Sequence, residues 1–314
     1  MATVFENPDF NAEELAEQLK NAMRGLGTDE AEIVEVVGKI TNAERQEVAA
    51  NYKTSYGEDL IDALKSELGG DFEDAVVALM TPPRLFDANQ LRDAMKGAGT
   101  DEATLVEILC SRSNEEIEEI KALFESEFER NLEEDIMNET SGYFKRLLVS
   151  QVNAGRDQSD DVDEDLANEE AQEIYDAGEG SWGTDEAAIN KILSLRNYAQ
   201  LRATFDAYGN LAERDIEEAI DSECSGCLQE GLLAIVRYAK DPPTFFARRL
   251  YDSMKGAGTS DNDLIRVITS RSEVDLADIK EAFQNKYEQS LNDFVADDVG
   301  GDYKRLLLAV IGDA

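Results

Sequence analysis

One spacing constrains this chain more than any other feature. The stretch Lys96-Gly97-Ala98-Gly99-Thr100-Asp101-Glu102 returns as Arg24-Gly25-Leu26-Gly27-Thr28-Asp29-Glu30 and as Lys255-Gly256-Ala257-Gly258-Thr259-Ser260-Asp261, with a looser copy at Gly180–Glu186. The glycine before each threonine falls at 27, 99, 183 and 258, at intervals of 72, 84 and 75. Glu67, Glu139, Glu223 and Asp298 each follow their glycine by 40 residues. A repeat near seventy residues, with one longer interval, describes four copies of one unit. A spacing kept four times while the residues between it vary predicts that each glycine loop meets its distant carboxylate in space.

Within the first unit the apolar residues follow helical periods. Asn11 can cap a first helix carrying Leu15, Leu19, Ala22 and Met23, ended by Gly25 and Gly27. Thr28 is placed to cap a second helix (Ile33, Val36, Val37, Ile40), with Asp29 and Glu30 at the positive end of its dipole. Thr41 or Asn42 caps a third, which Tyr56-Gly57 breaks, and Asp59 opens a short fourth that stops at Gly69-Gly70. A fifth runs from Asp71 to the Pro82-Pro83 pair, matched by Pro242-Pro243 before the last unit. No period-two pattern competes, so the fold class is all-α, built from five-helix units. The divisions are a tail at 1–10, repeats at 11–81 and 82–152, an acidic linker at 153–165, and repeats at 166–240 and 241–314.

Composition removes several function classes. The chain of 314 residues holds 69 acids against 30 bases, a net charge of −39, and no histidine. Such a surface repels nucleic acid and anionic lipid alike unless a cation bridges them. Without histidine the commonest general base and zinc ligand are missing, and no nucleophile–base set stands out. Three cysteines (Cys110, Cys224, Cys227) make no disulfide framework; Cys224-Ser-Gly-Cys227 follows a helical pattern and has no second pair for a zinc site. The first ten residues carry Glu6 and Asp9 and no apolar run, which predicts no secretory leader. No segment approaches the roughly 20 apolar residues that span a bilayer.

The glycine loops suit a hard cation. Gly-x-Gly turns let backbone carbonyls splay toward one point, and Ca²⁺ takes 6–8 oxygens in flexible geometry. The bland alternative is that glycines end one helix, threonine caps the next, and the acid, or Asp71 and Asp302 beyond it, caps the fifth. Four copies at one offset favour the cation. Phosphate-loop spacing is absent, and Lys96 and Lys255 precede the glycines. The acid run at 157–165 fails the EF-hand loop in both registers tried and reads as a solvated linker.

This pattern of Lys-Gly-x-Gly-Thr, then an acid forty residues later before x-x-Gly-x-Phe/Tyr, resembles the annexin repeat over nearly the whole chain. The resemblance implies four five-helix repeats packed as a curved disc. It also implies reversible, Ca²⁺-dependent binding to anionic, phosphatidylserine-like phospholipid membranes, without nucleic acid or catalysis. Carried over by residue, the first site takes the carbonyls of Met23, Gly25 and Gly27 with Glu67. The second takes Met95, Gly97, Gly99 and Glu139, and the fourth Met254, Gly256, Gly258 and Asp298. The third copy departs from the motif; an extra residue there assigns Gly178, Ser181, Gly183 and Glu223. Thr28 with Glu30 and Thr100 with Glu102 would form secondary metal sites, and Trp182, at the third loop tip, would contact lipid. A cytoplasmic protein, peripheral at the cytosolic membrane face when calcium rises and self-associating there, is the implied setting.

A second departure lies in the first repeat. Arg112, Arg196 and Arg271 lie 13 residues after their glycines, where the first repeat has Ile40. Asp87, Glu107, Arg112 and Arg266 match the polar channel of the family; a structural ion-pair network is the plainer expectation. Alternatives to lipid binding are a helical-repeat scaffold for proteins, its loops serving only as turns, and a membrane-associated calcium channel.

Overall fold

The structure is a computed structural model that describes residues 1–25, 27–179, 186–256 and 258–313; among them are twenty α-helices and no strand. The first repeat holds α1 (Ala12–Ala22), α2 (Glu30–Val37), α3 (Asn42–Tyr56), α4 (Leu60–Glu67) and α5 (Gly70–Met80). The second holds α6 (Pro83–Ala94), α7 (Glu102–Ser111), α8 (Asn114–Phe128), α9 (Leu132–Glu139) and α10 (Gly142–Val152). The third holds α11 (Glu164–Glu179), α12 (Glu186–Leu195), α13 (Tyr198–Ala212), α14 (Ile216–Glu223) and α15 (Gly226–Lys240). The fourth holds α16 (Pro242–Met254), α17 (Asp261–Arg271), α18 (Leu276–Tyr287), α19 (Leu291–Asp298) and α20 (Gly301–Ile311).

Helix ends follow local chemistry. Asn11 accepts from the Glu13 and Glu14 amides, Thr41 and Glu44 form a reciprocal capping box, and Gly57 ends α3 in the left-handed region at φ 70°. The second helix departs from expectation. Its cap is Asp29, whose carboxylate accepts from the Glu32 amide, and Asp101 does the same for Thr104 in the second repeat. Thr28 is therefore not the cap. The aspartate side chain satisfies the exposed amide one residue later, and the threonine hydroxyl is left for another partner. No side chain caps α5 or α20, so Asp71 and Asp302 sit in first turns without the capping role their positions suggested.

The chain divides into two compact units, Met1–Phe86 with Pro243–Ala314, and Asp87–Pro242. In the first, α2 and α5 pack against α17 and α20, so the first and fourth repeats share one core. Val36, Val37, Val76, Leu79, Ile265, Ile268, Leu306 and Val310 are buried there. In the second, α7 and α10 pack against α12 and α15 in the same manner. Gly231 permits that approach, because a Cβ on it would lie 2.8 Å from Leu147 Cδ2. The linker is mostly exposed, as expected, and is anchored at a few points. Arg156 is buried and donates to the Leu193 and Arg196 carbonyls, and Asn197 Nδ2 reaches Asp157, Ser159 and the Asp161 carbonyl. The next helix already starts at Glu164.

Asp87 and Arg112 form a two-bonded ion pair within the second unit at 2.8 and 2.9 Å, both side chains 1% exposed. Burial opposes the arginine's charge, yet Asp87 holds the guanidinium more firmly protonated than usual. The third repeat has the related pair Arg196–Glu170 at 2.6 Å. In the first repeat the equivalent position is Ile40, which is buried. Arg45 of α3 supplies its polar anchor, donating to the Val37 carbonyl at 2.8 Å.

Candidate metal centre

Three glycine loops have one geometry. Gly25 and Gly27 stand at φ 109° and 95°, Gly97 and Gly99 at 100° and 102°, and Gly256 and Gly258 at 104° and 97°. A side chain would be strained at these angles although nothing crowds the space where its Cβ would lie. Each loop is closed by one backbone bond: Asp29 N to Ala22 O at 2.9 Å, Asp101 N to Ala94 O at 2.8 Å, and Ser260 N to Ser253 O at 2.7 Å. Met23 is the residue at the end of α1, Met95 follows α6, and Met254 closes α16, which puts each methionine carbonyl at the loop entrance.

The four distant acids occupy one structural position. Glu67, Glu139, Glu223 and Asp298 are the last residues of α4, α9, α14 and α19, each helix eight residues long. The loop threonine reaches toward them. Thr28 Oγ1 donates to Glu67 Oε2 at 3.2 Å and Thr259 Oγ1 to Asp298 Oδ2 at 2.6 Å. Thr100 Oγ1 meets the Glu139 backbone carbonyl at 3.3 Å, leaving that carboxylate outside the contact. The fixed offset thus corresponds to a contact in three repeats.

In the third copy Gly178 lies in the last turn of α11, and Glu223 pairs with Arg214 at 3.8 Å. Ser181, Gly183 and Trp182 lie outside the described residues. Glu30 and Glu102 open α2 and α7, two residues after the threonines proposed with them. Thr259, the most tightly bonded of the three threonines, was not among the residues singled out, although its motif position matched Thr28 and Thr100. Cys224 and Cys227 are not in a disulfide; burial and then Glu102 raise the Cys227 thiol, so it is held away from the reactive thiolate.

The donor set fits a hard cation: carbonyls at uncrowded glycines, with one acid at a helix end beside them, its carboxylate held by the loop threonine in the first and fourth repeats. Among the described residues no three Asp, Glu or Cys side chains converge to hold a metal by themselves, so backbone oxygen would supply most of the shell.

The annexin family model matches residues 14–79, 86–150, 169–235 and 245–310. Annexin A13 of Canis lupus familiaris is 50% identical over 302 residues, 96% of each chain. The structure of annexin III superposes with a TM-score of 0.97 at 43% identity, covering 99% of this chain and 97% of that one. A structure of calcium-bound annexin (Sm)1 superposes with a TM-score of 0.88 at 34% identity, covering 100% and 93%. The fold and the repeated loop define a four-repeat, all-helical protein, and the chain belongs to the annexin family.

Proposed function

We propose that this annexin binds anionic phospholipid membranes reversibly and in a calcium-dependent manner, as a peripheral, noncatalytic protein of the cytosolic face. The observation that carries the reading is the shared geometry of three loops, each two open positive-φ glycines beside an acid at the end of an eight-residue helix. The carbonyls of Met23, Gly25 and Gly27 with Glu67 would hold one ion. Met95, Gly97, Gly99 and Glu139 would hold a second, and Met254, Gly256, Gly258 and Asp298 a third. Gly178, Ser181, Gly183 and Glu223 are the corresponding assignment in the third repeat, with Trp182 meeting lipid. When bound, calcium would supply positive charge on a surface that otherwise repels phosphate. The net charge of −39 makes that reversal necessary, because chain and anionic bilayer repel at any separation within a Debye length, about 8 Å at physiological salt. No helix among the described residues is long and apolar enough to cross a membrane, in keeping with surface attachment.

Co-sedimentation with phosphatidylserine vesicles tests the reading. Binding in calcium and release by chelator are expected. Binding indifferent to chelator, or unchanged when Glu67, Glu139, Glu223 and Asp298 are all neutralised, would instead favour a scaffold whose glycine loops are only turns.

A further inference from the structure

The second unit contains a cavity of about 310 Å³ between α10, α12 and α15. Its walls are mainly apolar: Leu147 and Val149 come from α10, Ile189 from α12, and Leu228 and Leu232 from α15. Leu147, Ile189 and Leu232 are buried, while Val149 and Leu228 are half-exposed, so the cavity runs from the surface into the core. Arg146 and Tyr143, both exposed, line it as well.

The matched positions of the first unit show what is particular to this one. Leu228 corresponds to Phe72, and Ser150 and Asn190 correspond to Ala309 and Val34. Phe72 is buried, and the smaller Leu228 leaves part of a ring's volume unfilled at its position. Arg146 corresponds to Arg305, and Tyr143 to Asp302. Arg305 is paired with Asp302, whereas Arg146 has a tyrosine in that place. Its guanidinium lies 5.3 Å from the Tyr143 ring, and no carboxylate of the described residues is within ion-pair reach of it. Asn190 Nδ2 donates to Ser150 Oγ at 2.8 Å and to the Arg146 carbonyl at 3.5 Å, which gathers the polar lining groups on the side of the arginine. The same two substitutions thus open space and leave a cation at its edge.

The lining selects the ligand. An apolar cavity with a few polar groups on one side suits an amphiphile, and at about 310 Å³ it lies near the lower bound of small-molecule sites. That is room for one hydrocarbon chain and not for the two of a membrane phospholipid. A single guanidinium matches a single carboxylate, which it can hold through two parallel N–H bonds. On a chain of net charge −39, an arginine without an acid beside it offers an anion a rare local attraction. We infer that this cavity binds a single-chain fatty acid, with its hydrocarbon between Leu147, Ile189, Leu228 and Leu232 and its carboxylate on Arg146. The site uses none of the loop glycines or their acids, so it stands apart from calcium-dependent membrane attachment.

Isothermal titration of the full chain with laurate, below its micelle concentration and in chelator, tests this. Calcium and vesicles are absent, so the outcome is separate from the co-sedimentation result. One saturable site is expected. Val149→Trp, which fills the mouth, should abolish it. Arg146→Gln should weaken it about fivefold, the weight of one charge-assisted hydrogen bond near the surface. Arg305→Gln, the matched residue of the first unit, should leave affinity unchanged. Dodecanol, which lacks the carboxylate, should bind more weakly than laurate, and dihexanoyl phosphatidylserine should not compete. In the unaltered protein laurate should slow alkylation of Cys224, a free thiol lining the cavity, relative to Cys227, as read by mass spectrometry. Circular dichroism and the melting temperature of each variant establish that it is folded. Absence of a saturable site overturns the proposal, as does unchanged affinity in folded Val149→Trp or Cys224 alkylation indifferent to laurate. Equal weakening by Arg146→Gln and Arg305→Gln, or dodecanol binding as tightly as laurate, removes the carboxylate from Arg146 and overturns it too. Competition by the phospholipid would make the cavity part of membrane attachment and overturn the fatty-acid assignment.

Discussion

The hydroxyl of Thr259 donates to the carboxylate of Asp298 across 2.6 Å, joining a loop at the start of the fourth repeat to the end of a helix 39 residues later. A threonine spared from capping its own helix instead orients an acid that would otherwise swing freely at a helix end. Asp298→Asn is expected to raise the calcium needed for half-maximal vesicle binding about tenfold, equivalent to about 1.4 kcal/mol. Thr259→Val should raise it less, and Thr28→Val least, since the Thr28–Glu67 bond is 3.2 Å long. Calcium titrations of vesicle co-sedimentation measure all three.

The loop glycines are required for backbone angle and not for lack of room. Gly97→Ala and Gly256→Ala should each destabilise the loop by about 1–3 kcal/mol, the strain of a side chain at such angles. Half-maximal calcium should rise while the melting temperature, set by the helical core, falls little. A large fall in melting temperature with unchanged calcium dependence would show that these glycines serve the fold alone.

Arg112 and Asp87 are buried on each other. Arg112→Ala strands the Asp87 charge and should cost about 3–5 kcal/mol in denaturant unfolding. Replacing both, as Arg112→Met with Asp87→Leu, should recover most of the loss, because desolvation of both charges is then avoided.

Asp261 gives a pH signature of opposite sign to an ordinary paired carboxylate. Its folded pKa is raised above the usual 3.8, first by burial and then by Asp71. The folded state therefore prefers the proton, and that contribution is full below 3.8 and lost as pH rises through the raised value. At neutral pH, without calcium, Asp261→Asn should be more stable than wild type, and the difference should close as pH falls toward 4. Thermal melts of both proteins across that range decide it; a constant difference would count against the assignment.

Much of this molecule could be read from the chain. Helical periods and punctuation by Gly57, Gly69-Gly70 and the proline pairs are local properties, and the five-helix unit followed from them. The forty-residue offset was also legible, because four independent copies would not keep one spacing without contact. The cap was misplaced because Thr28 and Asp29 can both cap a helix, and only the position of Glu67 in space decides which of them does so. The ends of the linker were blurred for a similar reason: its charge described its solvent side, while Arg156 and Asn197 anchor the other. The sequence by itself determined the repeat, its helices and the partner of the three described glycine loops, since those rest on period and backbone preference. Only the tertiary structure decided that the first repeat shares a core with the fourth. Four similar units present similar apolar faces, and the choice between them is made by packing, here α2 and α5 against α17 and α20. That choice brought Asp71 and Asp261, 190 residues apart, to one cleft.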